Sequence, residues 1–260
     1  MATCKNCGAE FDSNFCPDCG QKATAGERFT LKAFSKHSLL NFARLNDGFI
    51  HTALGLVEHP WIVISDYIHG KRARYSPPIT MLIQVILYTS VLVYFVEKIS
   101  GIELEFNDTP YVSIEADNWF VDYVLSSDIF QDVMIIIPFS LAGMIAFRWV
   151  GGRKYNAAEY LVAGTYMMCL NFILDFLIVP VQLLSHGQTF GIPQFAMLFF
   201  TLATLWKAFR VKEWWKEVLS IIFYVIVALV FFIAELALLA GIALPFAYHS
   251  GVFTIGFNLH

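Results

Sequence analysis

Asp66-Tyr67-Ile68-His69-Gly70-Lys71-Arg72-Ala73-Arg74-Tyr75-Ser76-Pro77-Pro78 divides the chain in two. Upstream of it the sequence is polar or amphipathic. Downstream it is dominated by long apolar runs. Three cations and two tyrosines at such a junction are the side chains a membrane–water boundary selects. Lys and Arg meet lipid phosphates, and Tyr rings sit at headgroup depth. Gly70 is placed to end one helix. Ser76 and Pro77 are placed to start the next, with Ser as cap and Pro in the first turn.

Composition agrees with a membrane body. Of 260 residues 57% are hydrophobic and 15% charged, with 25 Phe, and the mean hydropathy is +0.60. A soluble globular protein carries roughly 25% charged residues. The net charge of −4 gives no support to nucleic-acid binding. The first thirty residues have no apolar core of the signal-peptide kind, so insertion is expected to rely on the first spanning helix.

Five stretches reach or approach the roughly 20 apolar residues that a span needs. They are 79–98, 132–149, 159–184, 190–208 and 217–243. The second is short and contains Pro138, Ser140 and Gly143. Sixteen of the 17 Lys and Arg precede the first span or lie between spans two and three or four and five; Lys98 alone lies on the other side. The positive-inside rule then puts the N-terminus in the cytoplasm and the C-terminus outside. Leu244 to His260 stays apolar past Pro245 and leaves a re-entering segment open. The expected fold is an all-α polytopic membrane protein with about five transmembrane helices, a small N-terminal zinc ribbon and amphipathic surface helices. Its parts are the ribbon (1–27), the surface helices and basic junction (28–78), and the transmembrane domain (79–260).

The ribbon is read from Cys4-Lys5-Asn6-Cys7-Gly8 and Cys16-Pro17-Asp18-Cys19-Gly20. Each C-x-x-C-G turn aims two sulfurs at one point, and the glycine lets amides approach the thiolates. Four thiolates make a closed structural site for one zinc ion. A disulfide pair is the rival in an oxidising compartment. A redox C-x-x-C would need a βαβ setting that the sequence lacks. The fifth cysteine, Cys169, falls in a span and reads as a small buried apolar side chain.

In the surface segment Leu39, Phe42, Phe49 and Ala53 recur at helical spacing, with a break near Asn46-Asp47-Gly48. A second helix is expected from Phe49 to Glu58 and a third from Trp61 to His69. His37, His51, His59 and His69 lack the i, i+4 spacing of a helical metal pair. Within the spans, Asn171, Asp175 and Glu235 form the candidate intramembrane polar site, because buried carboxylates are costly there. The connection over 101–131 carries seven acids and no Lys or Arg, the pattern of a solvated loop.

Three motif blocks together resemble domain-of-unknown-function family 3667, bacterial membrane proteins with a zinc-ribbon head. The first is Cys4, Cys7, Cys16-Pro17-Asp18-Cys19-Gly20-Gln21-Lys22. The second is Asp47-Gly48-Phe49-Ile50-His51-Thr52 followed by Pro60. The third is Tyr67-Ile68, Gly70-Lys71-Arg72, Tyr75 and Pro78. The resemblance is strongest over residues 1 to about 90. It implies a protein of the bacterial inner membrane, and no activity, catalytic residue or substrate.

The leading functional expectation is a non-enzymatic scaffold. Its ribbon docks a protein partner, and Lys71, Arg72 and Arg74 contact anionic lipid headgroups. No catalytic constellation is evident. A second reading is a small transporter or channel component using Asp175 and Glu235, which would require a homo-oligomer. A third is a membrane enzyme gripping lipid headgroups with Asp66, His69, Lys71 and Arg72.

Overall fold

The computed structural model describes residues 2–23, 30, 48–101, 112–114, 128–150, 152, 155–184, 192–209, 213–250 and 255–257. Within these segments some side chains, that of Glu235 among them, lie outside the described residues. The first expected surface helix, with Leu39, Phe42 and His37, lies outside them too.

The head is two matched turns. Strand β1 (Ala2–Thr3) pairs antiparallel with β2 (Glu10–Phe11), and Phe15 bridges Lys22. Cys4 N–H donates to Ala9 O and Gly8 N–H to Cys4 O. Twelve residues on, Cys16 N–H donates to Gln21 O and Gly20 N–H to Cys16 O. Gly8 and Gly20 hold φ of +83° and +69°, so the same left-handed turn closes each knuckle. The hydrophobic interior is Cys4, Phe11 and Cys16, with Ala9 and Cys19 at its edge.

Helix α1 (Gly48–Glu58) and helix α2 (Pro60–Ile68) follow, close to their expected bounds. Pro60 lacks an N–H and enters α2 at its first position, where none is needed. Helix α2 ends as the sequence reading requires. Gly70 adopts φ +98°, its N–H bonds Tyr67 O, and Lys71 N–H bonds Asp66 O. That is the paired closure of a Schellman motif.

The start of the next helix corrects the reading. Helix α3 (Pro78–Ser100) has Pro77 as its N-cap and Pro78 at its first position, with no side-chain cap. Ser76 lies one residue further out and is fully buried. Its N–H donates to Thr52 Oγ1 at 2.8 Å, and that hydroxyl donates to Gly48 O at 2.6 Å. The Ser76 amide is thus satisfied by α1. Gly48 has no side chain because a Cβ would come within 3.2 Å of Arg74 O and Ser76 N. Thr52→Val keeps the shape and deletes the hydroxyl, leaving the buried Ser76 N–H without an acceptor. We expect a loss of about 1–3 kcal/mol, read as earlier thermal unfolding in detergent, whereas Thr52→Ser should retain most of the stability.

The body comprises α3, α4 (Asp128–Ile145, continuing as a π-helical turn Ala146–Val150), α5 (Ala157–Leu184), α6 (Ile192–Ala208) and α7 (Trp214–Ser250). Strand β3 (Val112–Ile114) lies between α3 and α4, and β4 (Ile255–Phe257) follows α7. Helix α5 is the hub, packing on α1, α2, α3, α4 and α6, while α7 packs on α4 and the π turn. Asn156 caps α5 reciprocally with Glu159. Glu159 N–H donates to Asn156 Oδ1 (2.9 Å), and Asn156 N–H donates to Glu159 Oε2 (2.6 Å), a capping box. An aromatic cluster fills the space between α4, α5, α6 and α7. Tyr160 stacks on Phe209 at 4.8 Å, and Phe147 lies 5.6 Å from Phe209 and 6.3 Å from Tyr224.

Among the described residues three helices are long and apolar enough to cross a membrane: Pro78–Ser100, Ala157–Val181 and Trp214–Ala234. The other two expected spans are shorter helices. Pro138 lies within α4, whose apolar part, Ile136–Val150, ends in the π turn, and α6 has 17 residues. Helix α7 runs through Pro245 to Ser250, and β4 pairs antiparallel with β3. The C-terminal strand therefore sits on the same side as the α3–α4 connection. The remainder of that acidic connection, over 102–111 and 115–127, lies outside the described residues.

Candidate functional site

The four sulfurs of Cys4, Cys7, Cys16 and Cys19 lie within 4.8 Å of one another. Cys4 Sγ is 3.5 Å from Cys19 Sγ, and Cys7 Sγ is 3.4 Å from Cys16 Sγ. Those separations are far beyond a disulfide's roughly 2.05 Å bond, and all five cysteines are free thiols. They are close to the roughly 3.8 Å between ligands of a tetrahedral tetrathiolate ion bound at about 2.3 Å. The donor set fits a soft or borderline metal ion with every position filled by protein. Burial pushes the Cys4 thiol up, but the amides of Cys7 and Asn6 and the neighbouring sulfurs outweigh it and hold it at about 7. At Cys7 the Ala9 amide pulls the thiol down, yet Cys16, desolvation and the other sulfurs drive it up to about 12. The surroundings thus favour a thiolate at Cys4 and disfavour one at Cys7.

Immediately after the second knuckle, Gln21 turns away from the sulfurs and is buried. Its Nε2 donates to Gly70 O at 2.9 Å. Its Oε1 accepts from Arg72 N–H at 2.9 Å and from Ala73 N–H at 3.1 Å. One amide side chain therefore bonds three backbone groups of the basic junction across some fifty residues of sequence. The cysteine head is seated on the chain's own junction.

The three junction cations differ in setting. Lys71 Nζ pairs with Asp66 Oδ1 at 2.9 Å, and Tyr75 Oη donates to Asp66 Oδ2 at 3.2 Å. Burial, then the Asp66 carboxylate, pushes the Tyr75 phenol above its ordinary value. Arg72 points inward. Its Nε donates to Tyr67 O at 3.0 Å, and its guanidinium carbon lies 5.6 Å from the Tyr67 ring centre. Burial lowers the Arg72 pKa, against the opposing effects of Tyr67, Tyr166 and Glu159. Burial likewise raises the Tyr67 phenol, against the pull of Arg72. Arg74 is exposed. Tyr67 meets Tyr166 edge to face at 5.5 Å, and Tyr166 Oη donates to Ser76 O at 2.6 Å. Cys169, fully buried, lies beyond it beside Pro78 O.

The histidines engage local neighbours. His51 stands edge-on to Tyr75, His59 lies against Trp61, and His69 Nδ1 is 2.6 Å from Ser65 O. In α5, Asp175 is buried, and the buried Asn171 Oδ1 has no hydrogen-bond partner among the described residues. Asp175 lies nine residues beyond Tyr166, about 13 Å along the helix from the level of Ser76. Asn171 and Asp175 are four residues apart on one face of α5, and Glu235 is in α7, its side chain outside the described residues. Buried Gln84 on α3, its Oε1 also without a described partner, was not singled out from sequence. An apolar cleft of about 500 Å³ between α1, α3 and α5 is walled by Phe49, Val57, Val85, Leu92, Ile173 and Phe176, among others. It gives a polar substrate little to grip.

Sequence reasoning missed Gln21, Thr52 and Tyr166 as structural ties. Gln21 and Thr52 stand inside the motif blocks quoted above, so a signal existed. Tyr166 is one aromatic residue in an apolar run and carried none.

No curated protein and no solved structure matches the chain. Residues 47–89, from the start of α1 through the junction into α3, match the family model described as Protein of unknown function (DUF3667), the family that the sequence resembles.

Proposed function

We propose that this is a non-enzymatic integral membrane scaffold of the bacterial inner membrane, with a structural zinc ion in a cytoplasmic head that presents a docking surface to a protein partner. The observation that carries the reading is the closed set of four cysteine sulfurs on a head fixed to a membrane-spanning bundle. A site with four protein ligands leaves no position for substrate or water, which suits a structural role. Phe15, 57% exposed on the ribbon, is an apolar contact available to a partner. The shorter helices α4 and α6 complete a five-span body, with the N-terminus inside and the C-terminus outside. Arg74, with Lys71 at the edge, meets anionic lipid, each cation contributing about 1 kcal/mol near the surface. Arg72 serves the fold.

Native mass spectrometry of the full chain, extracted in its own lipids, tests this reading. The expected spectrum has one zinc per chain and a bound protein that is lost from the Cys4→Ser, Cys7→Ser double variant while the body stays inserted. A zinc-loaded chain holding one small-molecule class and no protein would overturn the scaffold reading in favour of transport or lipid chemistry.

A further inference from the structure

We propose that the ribbon's first docking partner is the chain's own basic junction, and that metal occupancy of the cysteine site controls whether it is docked. The inference rests on the metal site of the preceding reading and adds a consequence for the spanning bundle.

The contact is specific. Gln21 uses its donor and its acceptor on three backbone groups of one turn, Gly70 O, Arg72 N and Ala73 N. Those bonds use most of what a primary amide offers, and the side chain is 5% exposed. Gln21 lies two residues after Cys19, and its own carbonyl accepts the Cys16 N–H at 2.8 Å. Its backbone is therefore part of the second knuckle. The knuckle has little besides the metal to hold it, since its apolar interior is Cys4, Phe11 and Cys16. A head of this size folds with its metal and unfolds without it. Once unfolded, Gln21 would have to be ordered anew to make the same three bonds, at an entropic cost they do not cover.

The turn it grips leads onward. Arg72, whose amide Gln21 accepts from, bonds Tyr67 O and lies over the Tyr67 ring. Tyr67 meets Tyr166 of α5, and Tyr166 bonds Ser76 O just ahead of α3. Two spanning helices thus converge on the turn that the ribbon clamps. The two states are a docked head with a pinned turn, and a metal-free head with the turn released. In the released state the Lys71–Arg74 backbone is free to meet anionic headgroups.

Hydrogen exchange on the full chain in nanodiscs tests the coupling, with bound metal counted by elemental analysis in each sample. Removing the metal with a strong chelator should accelerate exchange at the Arg72 and Ala73 amides by about 10–100-fold, the protection that a modest hydrogen-bonded contact supplies. Adding zinc back should restore it. Gln21→Ala should give the same acceleration with the metal still bound, and Gln21→Glu, which keeps only the acceptor, a smaller one. Unchanged protection in a chain shown to be metal-free overturns metal control. Unchanged protection in Gln21→Ala overturns the dock. A chain that binds no metal, even with zinc supplied, fails the metal reading and with it the control. Acceleration in Gln21→Ala would then mark the dock as independent of metal.

Discussion

Cys16→Ser should unfold the head while leaving the bundle inserted. Cys16 is buried at the centre of the ribbon, its sulfur 3.4 Å from that of Cys7 and its amide bonded to Gln21 O. A hydroxyl is a poor replacement for a thiolate ligand, and three sulfurs leave the ion open to water. Metal binding in small structural sites supplies on the order of 10–16 kcal/mol. The few apolar side chains around Phe11 are no substitute, so most of the head's stability goes with the ion. The expected result is loss of stoichiometric metal, rapid proteolysis within residues 2–23, and unchanged membrane integration of α3, α5 and α7. Acid should act in the same direction, because protons compete for thiolates and metal affinity falls as pH falls. A Cys16→Ser chain that keeps one tightly bound ion and a protease-resistant head would sink the four-sulfur assignment.

The parts of this fold that were legible in the sequence are those governed by local chemistry. The C-x-x-C-G turns recur with the same hydrogen bonds, and Gly70 ends α2 with the closure its lack of a side chain permits. Hydropathy likewise located α3, α5 and α7, where length and apolarity together suffice. The reading failed where a distant group outcompeted a local rule. Ser76 looks like a helix cap, yet the helix opens at Pro78 with Pro77 as its cap, and Ser76 is held instead by its backbone, its N–H on Thr52 and its carbonyl on Tyr166. Gln21 reads as a polar residue after a metal knuckle; its role depends on a turn some fifty positions away. In each case the missing information was a tertiary contact, which neither periodicity nor spacing encodes.

Tyr166 is where the junction is tied to the hub helix, and its replacement should cost both packing and a buried hydrogen bond. The side chain is fully buried, its ring packs edge-on to Tyr67, and its hydroxyl donates to Ser76 O at 2.6 Å. Tyr166→Phe keeps the ring and deletes the donor. Ser76 is fully buried, so its carbonyl loses this partner where water cannot readily replace it, and the expected loss is about 1–3 kcal/mol. Tyr166→Ala removes the ring as well. The resulting cavity lies beside Tyr67 and beneath the turn that carries Arg72, and large aromatic-to-alanine changes in packed interiors cost about 3–5 kcal/mol. The stepwise order, wild type above Phe above Ala, separates the hydrogen bond from the packing. Thermal unfolding in nanodiscs would measure it, with Leu184→Ala, at a position 85% exposed, as the control for a change that opens no cavity. The two substitutions should also differ in where they act. Phe should loosen the start of α3 through Ser76 and leave Tyr67 in place, whereas Ala should free Tyr67 and, through it, Arg72. If Tyr166→Phe matched the wild type and Tyr166→Ala matched the Leu184 control, the junction would not be anchored through α5.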